Sequence, residues 1–197
     1  MELILIRHGE TDGNARRQYI GRTDLPLNSR GREQVMALRE RAVLPDEPMV
    51  FRSPLLRTAE TAQILFSKKG LPDARLVELD FGAWEAKTHA ELEASCRDRL
   101  WRWYDDPWHV APPEGETLQD LDVRLTAWHE EHVLAASSDA AIVAVTHGGP
   151  LRWWLAKYLL QDITRFHALH VPTAGYVRVV RTASGGWELA EGEITAR

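Results

Sequence analysis

Two histidines in the same local context are the residues best suited to do chemistry. His8 follows the apolar run 3–6, His147 follows the apolar run 140–145, and each histidine is succeeded by a glycine. A glycine lets a ligand approach the backbone closely and leaves its N–H group available. An imidazole can act as a nucleophile when its attacking nitrogen is unprotonated and a backbone carbonyl accepts a hydrogen bond from the other nitrogen. We therefore expect His8 and His147 to share one site, with His8 as the candidate nucleophile.

Two arginines suggest what the histidines would act on. Arg7 immediately precedes His8, and Arg57 lies on a helix predicted to follow another strand. The fork of a guanidinium matches the oxygens of phosphate. Together with His147, the two arginines would neutralise charge on the equatorial oxygens of a phosphoryl group during its transfer. A lone histidine after a strand is more often structural, and Arg57 alone could equally be a solvated helix residue. The combination is what indicates catalysis.

Glu78 is the candidate for the proton transfers that phosphoryl transfer requires. It follows a predicted strand at 76–77 and precedes the turn 79–82, which could aim its carboxyl group into the site. As an acid it would protonate the leaving alkoxide, and it would later deprotonate the attacking water. Asp80 and Glu85 compete for this role, and Glu10 is as compatible with a structural ion pair as with catalysis.

The elements that must position these residues alternate between strands and helices. Strand patterns occur at 3–6, 49–51, 76–77, 140–145 and twice between 168 and 193, around the turn 184–186. Helix patterns cover 30–42 after an Asn28-Ser29 cap, 117–133 after a Thr117–Asp120 pair, and a stretch from 150. A further helix is capped by Ser53-Pro54, and its core face is expected to carry Leu55, Ala59, Ala62 and Leu65. The alternation predicts an α/β fold, a three-layer sandwich with a mostly parallel sheet flanked by helices. Ligands bind outside the carboxyl ends of such strands, where both histidines lie.

Residues 1–197 are expected to form a single domain, because no repeat or low-complexity linker interrupts the chain. The part around 78–115 is rich in Trp, Asp and Pro and predicts a capping segment of short helices and loops. Four of the eight tryptophans fall in it, namely Trp84, Trp101, Trp103 and Trp108. Tryptophans are most often core residues, and stacking on a ligand is the alternative.

Composition restricts the remaining classes of protein. The 197 residues are 44% hydrophobic, with a formal net charge of -5, whereas a general nucleic-acid binder needs a basic face. Cys96 is the sole cysteine, which excludes an internal disulfide and zinc sites built from cysteines. The apolar run at 3–6 is too short for a signal peptide or a membrane span. A cytoplasmic protein acting on a small phosphorylated metabolite, without nucleic-acid or membrane partners, is expected. Nothing in the composition indicates an oligomeric state.

Six ordered blocks of the sequence resemble the histidine phosphatase superfamily, which includes the phosphoglycerate mutases. The blocks are 5–11 with Asn14, 21–28 with Gly31, 53–59 with 61–62, Glu78 with 81–85, 115–117 with Arg124, and 146–149. The resemblance implies that His8 accepts the phosphoryl group, that Arg7, Arg57 and His147 bind it, and that Glu78 donates the proton. It also implies a substrate pocket lined by Asn14, Ile20, Gly21 and Gly148, with no metal and no organic cofactor. One position departs from the family pattern, since Ala86 stands where a glycine is usual.

The segment 101–113, with its tryptophans and prolines, is similar to that of the α-ribazole-5'-phosphate phosphatases of cobalamin biosynthesis. This similarity implies a phosphomonoesterase that dephosphorylates α-ribazole 5'-phosphate, whose benzimidazole-like ring could stack on tryptophan. A broad-specificity sugar-phosphate phosphatase and a mutase-like enzyme are the enzymatic alternatives. A phosphate-binding module without activity is the third reading, and the presence of both histidines disfavours it.

Overall fold

Short strands and helices build residues 1–196, the part of the chain that the computed structural model describes. The strands are β1 Glu2–Arg7, β2 Met49–Arg52, β3 Leu71–Pro72, β4 Ala141–Thr146, β5 Leu169–His170, β6 Tyr176–Arg181, β7 Trp187–Gly192 and β8 Thr195–Ala196. The α-helices are α1 Asp12–Ala15, α2 Ser29–Arg41, α3 Leu56–Phe66, α4 His89–Asp105, α5 Leu118–Trp128 and α6 Gly148–Trp154. No helix within the described residues has the length and apolar composition to cross a bilayer.

Six strands form one mixed sheet in the order β3-β2-β4-β1-β6-β7, and β5 pairs with β8 in a separate two-stranded sheet. The first four strands of this order are parallel, whereas β6 is antiparallel to β1 and β7 to β6. In the β1–β4 pair Arg7 lies opposite Thr146. The residues that follow, His8 and His147, therefore leave neighbouring strands at the same edge of the sheet, as predicted.

Helices cover both faces of the sheet, which confirms the predicted α/β sandwich. Side chains alternate between the faces of a strand. Leu3 and Leu5 belong to the core cluster that α5 and α6 share, and Ile4 and Ile6 belong to the cluster that α2 and α3 share. The strands in the middle of the sheet are thus buried on both sides, which holds their carboxyl ends rigidly beside the site.

The helix that carries Arg57 begins later than predicted. Helix α3 starts at Leu56, with Leu55 and not Ser53 at the N-cap. The reason lies in the sheet, because the Ser53 N–H donates to the Val145 carbonyl at 3.1 Å and keeps the chain extended beyond β2. Of the predicted core face, Ala62 and Leu65 are buried, whereas Leu55 and Ala59 are only partly buried. Arg57, Thr58 and Thr61 complete the buried face.

The strand predicted at 76–77 is wrong. Residues Ala74–Leu76 form a 3-10 turn, and the short strand β3 lies earlier. The Asp73 carboxylate caps the turn by accepting from the Arg75 N–H at 2.9 Å. A side chain of α5, Arg124, takes the backbone carbonyls that a neighbouring strand would otherwise bond.

The segment around 78–115 contains a long helix as well as the predicted short turns. Helix α4 has 17 residues and begins with a capping box between Thr88 and Glu91. It is irregular at Cys96, whose backbone leaves the helical region. Trp84 and Trp103 are 2% and 3% exposed core residues, whereas Trp101 is 43% exposed. The tryptophans therefore act mainly as core side chains.

Other predicted boundaries are confirmed. The Asn28 side chain accepts from the Gly31 N–H and caps α2, and Thr117 and Asp120 form a capping box at the start of α5. Strands β6 and β7 flank the predicted turn at 184–186. Each of these signals is local, and the tertiary structure retains it.

Ala86, which replaces the family glycine, has φ +60°. A left-handed conformation costs an L-residue about 1–2 kcal/mol, and glycine avoids this cost. Glycine also loses more conformational entropy on folding, which offsets part of the gain in stability. We expect Ala86→Gly to raise the free energy of unfolding by about 0.5 kcal/mol. Ala94→Gly, in the exposed interior of α4, should instead lower it by about 1 kcal/mol. Urea unfolding measures both, and a destabilised Ala86→Gly protein would contradict the expectation.

His129 makes folding sensitive to acid. It follows α5 in a π-helical turn, is fully buried, accepts from Trp154 Nε1 at 3.2 Å and stacks on Tyr158 at 4.0 Å between ring centroids. Burial, with smaller contributions from Arg181 and Lys157, lowers its pKa from 6.5 to about 4. The unfolded chain therefore binds the proton more readily than the folded chain, so stability falls as the pH drops below 6.5.

Each pKa unit is worth about 1.4 kcal/mol, so His129 alone should remove about 3 kcal/mol of stability between pH 6.5 and pH 4. His129→Gln keeps an acceptor for Trp154 and does not titrate. Urea unfolding at pH 7 and pH 4.5 should show a smaller loss in this variant than in the unsubstituted protein. Equal losses would show that His129 does not carry the effect.

Candidate active site

His8 is held as a neutral imidazole with one defined tautomer. Its Nδ1 lies 2.7 Å from the Gly9 carbonyl, an acceptor, so Nδ1 carries the hydrogen and Nε2 is left with a lone pair. Burial lowers the pKa of His8 well below its usual value, and the cations of Arg57 and Arg7 lower it further against the raising effect of the Gly9 carbonyl. His8 is thus an unprotonated nitrogen base in a cationic setting at neutral pH.

His147 has the opposite tautomer. Its Nδ1 accepts from Arg57 Nε at 3.2 Å, so its hydrogen resides on Nε2. That Nε2 is buried, and within residues 1–196 it has no hydrogen-bond partner. The ring centroids of His8 and His147 are 5.1 Å apart. Burial, followed by the charge of Arg57, lowers the pKa of His147 well below its usual value. A neutral N–H donor therefore lies beside the His8 nitrogen, ready for an anionic oxygen.

Arg57 is fixed at the bottom of the site. It is 1% exposed, and besides His147 its Nη1 and Nη2 donate to the carbonyls of Thr23 and Gly21 at 2.9 and 2.8 Å. Three of its five N–H donors are used in this way, and two remain for a ligand. Burial lowers the pKa of the guanidinium, an effect that the nearby carboxylate of Glu78 opposes most.

Glu85 secures the loop that holds Arg57. Its carboxylate accepts from the backbone N–H groups of Gly21, Arg22 and Thr23 at 2.7, 3.0 and 3.2 Å, and from the Thr23 hydroxyl. With its oxygens committed to this loop, Glu85 is not available as the general acid. Its supporting role was not predicted, because nothing near Glu85 in sequence points to residues about 60 positions away.

Arg7 is the second arginine of the site. Its Nη1 donates to the Val171 carbonyl at 2.7 Å, and a Cβ added to Gly148 would lie 3.6 Å from its guanidinium carbon. Gly148 begins α6, so the guanidinium lies beside the first turn of that helix. The site thereby combines two guanidiniums, one imidazole donor and one imidazole lone pair.

Glu78 reaches the same edge from the segment after the 3-10 turn. Its carboxylate accepts from the Gly149 N–H, with N–O distances of 2.9 and 3.1 Å, and from its neighbour Leu79 at 2.9 Å. A Cβ on residue 149 would lie 2.1 Å from Glu78 Oε1, so this approach requires glycine. The second glycine of the motif 147–149 therefore serves the carboxylate, a function that sequence patterns did not reveal.

The other carboxylates near the site are committed elsewhere. Asp80 accepts from the Gly82 N–H at 2.8 Å and lies 3.4 Å from Arg22. Glu10 accepts from the Asn28 side-chain amide at 3.1 Å, although it also borders the cavity. Of the four candidates, Glu78 and Glu10 border the cavity, and Glu78 is the one whose carboxylate contacts α6, through the Gly149 N–H.

A cavity of about 580 Å³ borders the site, and its described lining includes Arg7, Glu78 and Gly148 but not the buried His8, Arg57 and His147. An aromatic wall of Tyr19, Phe81, Trp103 and Tyr104 also lines it. The wall is continuous, since Tyr19 and Tyr104 share a hydrogen bond of 2.7 Å between their hydroxyls. Two further cations, Arg17 and Arg152, also line the cavity.

The residues predicted to line the substrate pocket divide into two groups. Asn14, Ile20 and Gly148 border the cavity. The Oδ1 atom of Asn14 is taken by the capping box with Thr11, which leaves its amide NH2 group for a ligand. Within the described chain, Gly21 does not border the cavity, and it holds Arg57 through its carbonyl.

A family model described as the histidine phosphatase superfamily, branch 1, matches residues 3–195. The chain belongs to this superfamily. Two curated phosphatases are among its relatives. The glucosyl-3-phosphoglycerate phosphatase of Mycolicibacterium vanbaalenii is 35% identical over 75% of this chain and 69% of that protein. The adenosylcobalamin/alpha-ribazole phosphatase of Escherichia coli K12 is 32% identical over 81% of this chain and 79% of that protein.

The fold comparison agrees with the family. The crystal structure of the alpha-ribazole phosphatase from Shigella flexneri aligns with a TM-score of 0.79 at 27% identity and covers 100% of this chain and 95% of that one. This histidine phosphatase is therefore an enzyme that hydrolyses phosphoric monoesters. The departure at Ala86 leaves the turn intact, since its N–H still donates to the Tyr19 carbonyl at 2.9 Å.

Proposed function

We propose that this phosphatase works through a covalent phosphohistidine on His8. In the first step the Nε2 lone pair of His8 attacks phosphorus, the bond from phosphorus to the ester oxygen breaks, and Glu78 gives its proton to the departing alkoxide. The observation that carries the proposal is the tautomer of His8, whose Nδ1–H is fixed on the Gly9 carbonyl and whose Nε2 is free to attack.

The second step regenerates the enzyme. Water attacks the phosphorus of phosphohistidine, the Glu78 carboxylate accepts the proton of that water, and the N–P bond breaks to release phosphate. His8 recovers its lone pair, and Glu78 is again protonated for the next cycle. The same carboxylate donates a proton in the first step and accepts one in the second, and its contact with the Gly149 N–H places it two residues from His147.

Three fixed donors stabilise the transferring phosphoryl group. Arg7, Arg57 and the Nε2–H of His147 would each bind one of its equatorial oxygens, where negative charge is concentrated during transfer. All three are held in place by protein contacts before substrate arrives. Such donors need little reorganisation during the reaction, which is why they lower the barrier.

The proposed substrate is α-ribazole 5'-phosphate. The partly exposed rings of Tyr19 and Tyr104 offer a planar leaving group a surface to stack on. The buried rings of Phe81 and Trp103 pack against Tyr19 and support this wall. The Escherichia coli relative, an adenosylcobalamin/alpha-ribazole phosphatase, supports the same assignment. A second candidate is a phosphorylated hydroxy acid such as glucosyl-3-phosphoglycerate, because Arg17 and Arg152 on the cavity wall suit a carboxylate.

A substrate panel separates these candidates. The values of kcat/KM would be compared for α-ribazole 5'-phosphate, glucosyl-3-phosphoglycerate, 3-phosphoglycerate and fructose phosphates, in the presence and absence of a chelator. We expect α-ribazole 5'-phosphate to be preferred by at least about tenfold, corresponding to about 1.4 kcal/mol of transition-state binding. A flat profile would contradict the substrate. Loss of turnover with chelator and its return with zinc or magnesium would contradict the mechanism.

A further inference from the structure

Arg124 uses its whole guanidinium on the segment that carries Glu78. Its Nη1 donates to the carbonyls of Arg75 and Val77, the latter at 2.8 Å, and its Nη2 donates to the carbonyl of Glu78 at 3.1 Å. Its Nε and Nη2 also bind the two oxygens of Glu116 at 2.6 and 2.9 Å. Every nitrogen of the guanidinium is thus engaged.

Among residues 1–196, no strand pairs with the segment that Arg124 clamps. Residues 77–80 lie between two 3-10 turns and outside the sheets. Glu116 binds the segment further along, since its Oε2 accepts from the Asp80 N–H at 3.2 Å and its own N–H donates to the Asp80 carbonyl at 2.9 Å. The pair Arg124–Glu116 therefore bridges the main chain on both sides of Glu78.

Glu78 is consequently fixed from two directions. Arg124 holds its backbone carbonyl, and the Gly149 N–H holds its carboxylate. The five N–H groups of Arg124 are all used by backbone carbonyls of the clamped segment and by Glu116, so none is left to bind the substrate. Arg124 can therefore act on turnover through the segment that it clamps, and its charge also contributes to the lowered pKa of His147.

We propose that Arg124 is a positioning residue that sets where the Glu78 carboxylate meets the leaving oxygen. The inference rests on the proposed role of Glu78 as general acid. Displacing a catalytic group by about 1 Å can slow a reaction about 100-fold. Arg124 therefore governs protonation of the leaving group and leaves binding of the phosphoryl group to His147 and the other arginines.

The test compares two leaving groups in Arg124→Gln and Arg124→Lys. An alkyl phosphate needs its leaving oxygen protonated, whereas p-nitrophenolate leaves with little help. For the alkyl phosphate we expect kcat/KM to fall about 10- to 100-fold in Arg124→Gln, and less in Arg124→Lys, which keeps the charge but lacks the fork. For p-nitrophenyl phosphate the loss should stay below about threefold. Inhibition by inorganic phosphate should be unchanged.

Two further variants make the result decisive. Arg178→Gln breaks a comparable arginine–glutamate pair, with Glu2 at 2.7 Å, and should alter neither activity nor the ratio between the two substrates. Combining Arg124→Gln with Glu78→Gln should cost no more than Glu78→Gln alone, because both changes remove the same function. Circular dichroism and thermal melts define a temperature at which every variant is folded.

The results distinguish failure of the inference about Arg124 from failure of the proposed role of Glu78. If Glu78→Gln discriminates between leaving groups and Arg124→Gln slows both substrates equally, Arg124 is structural and the inference fails alone. An additive double variant would overturn it as well. If Glu78→Gln itself shows no discrimination, the role of Glu78 fails and the inference fails with it. Discrimination in both single variants with a non-additive double variant supports the inference.

Discussion

His8→Ala is expected to lower kcat by at least about 10⁴-fold, because it removes the atom that forms the covalent intermediate. The anion pocket should survive the substitution. Arg57 is held by carbonyls and by His147, and Arg7 by the Val171 carbonyl, none of which involves the His8 side chain. Inorganic phosphate should therefore still bind to the variant, measured by calorimetry, with affinity reduced by the loss of a single contact.

The intermediate itself can be observed. An alkaline quench during turnover of p-nitrophenyl phosphate preserves the N–P bond of phosphohistidine, and peptide mass spectrometry should place one phosphoryl group on His8. His109→Ala is the matched control, because His109 is an exposed histidine whose side chain bonds only to Asp106 among the contacts of the described chain. It should retain full activity and full labelling. Substantial turnover by His8→Ala, or a label on another residue, would refute the assigned nucleophile.

Glu78→Gln should slow alkyl esters far more than p-nitrophenyl phosphate. General acid catalysis contributes about 10²- to 10⁴-fold, and that contribution matters most for a basic leaving group. We expect kcat/KM for an alkyl phosphate to fall about 10²- to 10³-fold, with a loss below about tenfold for the nitrophenyl ester. The amide can still accept from the Gly149 N–H, so the fold of this edge should be retained.

The quantity kcat/KM is the appropriate measure here, because it reports the steps up to the first irreversible one, in which the leaving group departs. In the proposed mechanism the value of kcat also contains hydrolysis of the phosphohistidine, in which Glu78 would act as base for every substrate alike. Asp80→Asn is the control for disturbance of the loop, since its Oδ1 supports the Gly82 N–H two residues from Glu78. It should affect both substrates equally. Equal losses in Glu78→Gln would mean that Glu78 is only structural.

Much of the part of the site around His8 and His147 could be predicted, because its signals are local. The runs 3–6 and 140–145 become neighbouring parallel strands, and parallel strands bring their carboxyl ends to one edge. The hydrogen bond that fixes His8 joins it to the next residue, Gly9. The helix caps at Asn28 and Thr117 are likewise confirmed, because a capping side chain bonds to a backbone group three residues away.

The part of the site around Glu78 could be predicted less well, because its contacts join segments that are distant in sequence. Three carboxylates, Glu78, Asp80 and Glu85, lie within eight residues, and the pattern alone left them in competition. The structure separates them by their hydrogen bonds, since Glu85 bonds to the loop at 21–23 and Glu78 to Gly149. Likewise, the start of α3 depended on a bond between Ser53 and β4.

The amino-acid sequence by itself predicted Arg7, His8 and His147 as candidate site residues of this phosphatase, because each lies at or just after the end of an apolar strand. The tertiary structure alone decided that Arg57 bonds to His147, which carboxylate lies beside α6, which aromatic side chains form the cavity wall and how Arg124 holds the Glu78 segment. The physical reason is distance along the chain. Hydrogen bonds between residues about 40 to 70 positions apart are set by packing, which no local pattern encodes.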